Sequence, residues 1–199
     1  MASATPDLKR TALLSMDLQD TIVSIYTKNE PELLPRVAGV LRAARARNIP
    51  VIHVQVGFRP GLPEVSARNQ LFGAIKTSQQ WQQIFQGPGG AIHSAVAPQG
   101  QEVVIAKHRV SAFAGTDLEM ILRANDIDTL ILVGIATSGV VLSTLLNASD
   151  ADYHLFVVRD CCSDQDPDVH ACLIEKFFPR RATILTAEEL CEMLKSTTG

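Results

Sequence analysis

A chain of 199 residues, 46% hydrophobic and 20% charged, has the make-up of one globular domain long enough to bury a substantial core. A net charge of −3 argues against nucleic acid or an anionic membrane surface as partner, and no apolar run approaches the roughly 20 residues of a membrane span. Cys161, Cys162, Cys172 and Cys191 lack paired metal spacing, and the opening MASATPDLKR lacks the apolar core of a secretory signal. Reduced thiols in a cytoplasmic protein are therefore expected.

Residues 11–16, TALLSM, predict a first strand, followed at once by the polar cluster Asp17, Gln19 and Asp20. A loop is expected through Tyr26 and Asn29. Leu33, Leu34, Val37, Val40, Leu41 and Ala44 recur at helical spacing, with Pro35 tolerable only in the first turn. Residues 50–56, PVIHVQV, alternate into a second strand. The stretch 57–100 is long, weakly periodic and rich in Gly, Pro and Gln. Short helices around 69–75 and a lid or interface role are expected for it. It carries Arg59, Arg68, Phe72 and the only tryptophan, Trp81.

Residues 102–106 predict a third strand running into Lys107, His108 and Arg109. Thr116-Asp117-Leu118-Glu119 has the pattern of a capping box for a helix through Arg123. Residues 129–133 form an apolar, β-branched run bounded by Gly134, the mark of a strand buried on both faces. A tight turn over 135–139 follows, and Val140, Val141, Thr144, Leu145 and Ala148 then recur at helical spacing. A fifth strand is expected over 154–158, ending at Asp160. Asp166-Pro167 supplies an N-cap and first-turn proline for a helix through Phe177. Residues 182–185 make the last strand, and Thr186 to Glu189 a capping box for the C-terminal helix. This alternation predicts an α/β fold, a three-layer α/β/α arrangement around a mostly parallel, Rossmann-like six-stranded sheet, as one domain over residues 1–199.

In open α/β sheets ligands bind beyond the carboxyl ends of the strands. Three such ends are expected to converge here: Asp17 after the first strand, Lys107 after the third, and the turn from Ala136 to Val140 after the fourth. A carboxylate beside an ammonium can exchange a proton with a substrate while the ammonium stabilises developing negative charge. The plain alternative is a solvated Asp and a solvated Lys at two strand ends.

LLSMDLQD, AKHRVSAFAGTDLE and GIATSGVVLST, in that order and spacing, resemble the motifs of the isochorismatase-like hydrolase superfamily. That superfamily includes nicotinamidases, N-carbamoylsarcosine amidohydrolases, ureidoacrylate hydrolases and isochorismatases. The resemblance spans residues 11–184. It implies Asp17 and Lys107 as two members of an Asp-Lys-Cys catalytic set, a cis peptide between Ile135 and Ala136, and an oxyanion hole made by the main-chain N–H groups of Ala136 and Val140. It also implies a dimer or tetramer, an expectation shared by the apolar Phe72, Ile75, Trp81, Ile84 and Phe85 of the 57–100 stretch if they stand uncovered.

The sequence departs from the family at one decisive position. The family cysteine lies three residues after the threonine of the turn, here Thr137, and that place is taken by Val140. Valine has no nucleophilic atom, so an acyl-enzyme at this position is closed. Ser138 in the same turn has no base paired with it in the sequence, while Ser143 and Thr144 are placed to bond back to helix carbonyls. Cys161 and Cys162 follow the fifth strand, where buried structural cysteine is the commoner role.

Within the superfamily true isochorismatases also lack the cysteine and hydrolyse an enol ether through an aspartic acid, although their turn differs from TSGVV. Direct attack by water on an amide, ureide or ester, with Asp17 as base, is the parallel route. The reading is a metal-independent hydrolase of a small molecule, without cofactor; the alternative is a small-molecule-binding member of the fold that has lost catalysis. The nicotinamidase metal site is not expected, because Val56 and Phe58 stand where ligands would be needed. Gln19, Phe113, Thr137, Ser138 and Arg59 are the expected substrate contacts, Arg59 (or Arg68) through a substrate carboxylate.

Overall fold

The computed structural model describes residues 6–27, 30–86 and 90–197. Six strands form one sheet: β1 (Thr11–Met16), β2 (Val51–Val56), β3 (Val103–Lys107), β4 (Thr129–Ile135), β5 (His154–Ser163) and β6 (Thr183–Leu185). Their order is β3-β2-β1-β4-β5-β6 and every pairing is parallel. The chain reverses its direction of travel across the sheet between β1 and β4, and this switch point is where a crevice opens.

Among the described residues eight α-helices accompany the strands: α1 (Asp20–Tyr26), α2 (Leu33–Ala46), α3 (Gln70–Thr77), α4 (Gln79–Gln86), α5 (Leu118–Ala124), α6 (Leu142–Asp150), α7 (Pro167–Cys172) and α8 (Ala187–Ser196). Because β1 and β4 are covered on both faces, every residue of each is buried. Leu13, Ile131, Val133 and Phe156 face α2 and α8, and Leu14, Leu130, Leu132 and Val157 face α5 and α6. A smaller cluster joins the end of β2 to the segment after it, where Val56, Phe58, Leu62, Val65, Phe72 and Ile75 pack together.

Four expectations need correction. The loop expected through Tyr26 is α1; its run of β-branched residues hides a helix whose Val23 packs against the core. Asn29 lies outside the described residues. The capping box at Thr116 does not close: Asp117 takes the N-cap position without a side-chain bond, and Thr116 Oγ1 accepts from Leu118 N at 3.3 Å instead. β5 does not end near Asp160 but runs to Ser163, pairing Cys162 with Gly134. Its polar interior is satisfied by other elements, since Asp160 Oδ1 accepts from Ala187 N at 2.8 Å and Asp160 O from Arg36 at 3.2 Å. Phe72 and Ile75 are buried in the cluster of their own segment rather than left bare, while Trp81 remains 39% exposed.

Among the described residues no helix is long and apolar enough to cross a membrane.

Candidate active site

β1 ends by breaking its own geometry. Asp17 takes a left-handed backbone, φ +54, which aspartate enters more readily than most residues, while its N–H still donates to Val54 O at 2.8 Å. Lys107 ends β3, two strands away, opposite Val56 in the register of β2. Neighbouring strands lie about 4.8 Å apart, so only a long side chain bridges the gap from β3 to β1. The Lys107 stem does so: Nζ lies 2.8 Å from Asp17 Oδ2 and also donates to Arg109 O at 3.1 Å. The two side chains are 3% and 9% exposed, which makes this a buried ion pair.

Burial pushes the Asp17 carboxyl above its ordinary value, and the Lys107 ammonium pulls the other way without cancelling the rise. The second carboxylate oxygen, Oδ1, is buried and meets no hydrogen-bond partner among the described residues. A carboxylate with one oxygen held by an ammonium and the other unengaged is arranged to take or give a proton.

The third strand end is shaped by Gly134. Its φ is +147, and a Cβ there would collide with the Met16 carbonyl oxygen of the neighbouring strand. Only glycine lets β4 pass so close to the end of β1. The peptide Ile135–Ala136 that follows is cis, and the turn Thr137–Val141 closes with Gly139 N and Val141 N donating to Ala136 O. This leads into α6.

Together these ends floor a cavity of about 380 Å³. Asp17, Lys107, Ala136, Gly139 and Val140 line it below, and α1, α3 and α4 supply its walls. Asp17, Lys107, Ala136 and Val140 are thus brought together, whereas Gln19, Phe113, Thr137, Ser138 and Arg59 stand outside the lining. Gln19 is buried, giving its Nε2 to Val56 O and Gly90 O at 2.9 and 2.7 Å and accepting from Val56 N at 2.8 Å, so its amide stitches main chain around the site. Phe113 packs against Tyr153, ring centroids 6.0 Å apart. Thr137 Oγ1 lies 2.8 Å from His170 Nδ1, and Ser138 is exposed with its N–H on Asp164 Oδ2. Arg59 pairs with Glu64 at 3.1 Å. Arg68 is exposed on the surface, with its N–H on Ser66 Oγ.

Cys161 and Cys162 lie within β5, away from the cavity. Burial pushes both thiols up, that of Cys162 to about 12, which is the wrong direction for a nucleophile. Among the described residues no three His, Cys, Asp or Glu side chains are grouped to hold a metal ion.

Sequence reasoning missed Tyr26, whose ring lines the cavity from α1 and whose hydroxyl burial holds in its protonated form. The spacing of Ile22, Val23, Ile25 and Tyr26, one helical face directly after a strand end, was the available signal.

The isochorismatase domain family matches residues 11–189. The chain belongs to the isochorismatase family. It is 26% identical over 196 residues to maleamate amidohydrolase of Pseudomonas putida, covering 96% of this chain and 90% of the relative. It is 31% identical over 192 residues to the uncharacterized isochorismatase family protein YecD of Escherichia coli, covering 94% and 97%. Among solved structures, a cysteine hydrolase from Pseudomonas syringae superposes with a TM-score of 0.87 at 22% identity, over 98% of this chain and 99% of the other, and shares the fold. The family and its relatives make this protein an isochorismatase-family hydrolase by homology.

Proposed function

We infer that this isochorismatase-family protein hydrolyses a small amide by direct attack of water, with Asp17 as general base and no covalent intermediate. The observation that carries this is the buried Asp17–Lys107 pair, 2.8 Å apart on the cavity floor, beside a turn where Val140 stands in place of a thiol. The amide class is supported by the P. putida relative, whose named substrate, maleamate, is an amide.

In the reaction the Asp17 carboxylate takes a proton from water as the water oxygen bonds to the carbonyl carbon. The carbonyl π pair moves onto oxygen, and the main-chain N–H groups of Ala136 and Val140 are assigned to that oxyanion. Its collapse breaks the C–N bond, and the proton held by Asp17 passes to the leaving nitrogen, giving a carboxylic acid and an amine or ammonia. Lys107, 2.8 Å from Asp17 Oδ2, holds Asp17 in place. Burial makes the Asp17 carboxylate a stronger base than a solvated one, which assists the first step.

Val140 also favours a second reading, a ligand-binding member of the fold without catalysis. The experiment that separates them is a panel of small amides, ureides, esters and enol ethers, run with the parent protein and Asp17→Asn. Turnover of an amide that falls at least 100-fold in the variant supports the hydrolase. A compound that raises the melting temperature yet survives incubation unchanged, with no turnover across the panel, selects the binding module.

A further inference from the structure

Above the Asp17–Lys107 pair the cavity is walled by apolar groups. Ile22, Val56, Phe72 and Ile75 form its sides, and Trp81 stacks on Phe85 at the rim with centroids 5.7 Å apart and planes at 12°. Among the described lining residues the only charged side chains are Asp17 and Lys107, which neutralise one another. Of the arginines in the flanking segments, Arg59 meets Glu64 at 3.1 Å, Arg109 donates to His108 O and Glu64 O at 2.6 and 3.0 Å, and exposed Arg68 is not among the lining residues.

A substrate carboxylate entering such a cavity gives up its hydration and finds no uncommitted cation in the described wall. A ring or branched alkyl group gains by the same transfer, and a flat ring also meets the Trp81 and Phe85 faces.

We propose that this site takes neutral amides bearing an uncharged aromatic or branched aliphatic substituent and discriminates against amides that carry a carboxylate. The reacting bond rests on the hydrolase reading above; the substituent preference rests on the cavity wall alone.

Two matched pairs test it: benzamide against 4-carbamoylbenzoate, and 4-methylpentanamide against adipamate. Binding to the full-length protein is measured by calorimetry, with ammonia release followed in parallel. The expected result is at least tenfold tighter binding of the neutral member of each pair. Leu71 lies on the rim and is 64% exposed, so Leu71→Arg adds a cation there without opening the core. In that variant the affinity for 4-carbamoylbenzoate rises at least tenfold while the melting temperature stays unchanged.

Equal or tighter binding of the carboxylated members, or failure of both neutral amides to bind, overturns the proposal. Absence of ammonia release with the binding preference intact refutes the hydrolase reading and leaves the substituent preference supported.

Discussion

Replacing Lys107 by Met keeps most of the buried stem and deletes only the ammonium that faces Asp17. Asp17 then has a side chain 9% exposed, held where burial already raises its pKa, with no opposing charge. Removing one partner of a buried pair typically costs about 3–5 kcal/mol. For a chain of this size that corresponds to a melting temperature lower by roughly 6–20 °C.

The sign with pH follows from the direction of the shift. With its pKa raised further, folded Asp17 binds a proton that the unfolded chain does not, so Lys107→Met gains stability as pH falls from 8 toward the ordinary carboxylate range. The deficit against the parent is therefore largest at pH 8 and shrinks on acidification. Asp17→Asn combined with Lys107→Met removes both charges and recovers much of the loss. Urea unfolding of all three proteins between pH 5 and 8 reads this directly. A Lys107→Met protein within about 1 kcal/mol of the parent at pH 8, with an unchanged pH slope, would refute a coupled buried pair.

Gly134→Ala forces a Cβ against the Met16 carbonyl at φ +147 and is expected to cost about 3 kcal/mol, visible as a lower urea midpoint. In thiol labelling of the native protein, exposed Cys172 reacts first, and buried Cys161 and Cys162 react only on unfolding; rapid labelling of either buried thiol, blocked by substrate, would restore a cysteine route. Glu102 is held at about 2: burial raises it, but hydrogen bonds from Arg45, Gln99 N and His53 prevail. Its contribution is present above the ordinary carboxylate value and lost as pH falls toward 2, so Glu102→Gln flattens the acid limb of the melting temperature against pH.

The α/β architecture was legible because strands buried on both faces leave unbroken apolar runs, as in 130–133, and because Asp166-Pro167 and Thr186 to Glu189 mark helix starts through local bonds that the structure forms. The meeting of Asp17 with Lys107 followed from topology, since both stand at carboxyl ends of parallel strands on either side of β2. What stayed hidden depended on tertiary partners. The polar pair Arg159-Asp160 looked like a strand end because the bonds satisfying Asp160 come from Arg36 and from the start of α8, distant in sequence. Gln19 resembled a substrate ligand because nothing near it reveals that its amide is consumed by Val56 and Gly90. The helix expected around 69–75 is α3, Gln70–Thr77; the apolar wall from α1 and α4 was obscured by β-branched and Gln-rich segments whose helices are stabilised by packing rather than propensity.

Intact-mass spectrometry of the protein, quenched from steady-state turnover of an amide it hydrolyses, tests most directly whether water attacks the substrate unaided by a protein nucleophile. The unmodified chain mass at every time point is the predicted result. A population heavier by the acyl group of that substrate would contradict it.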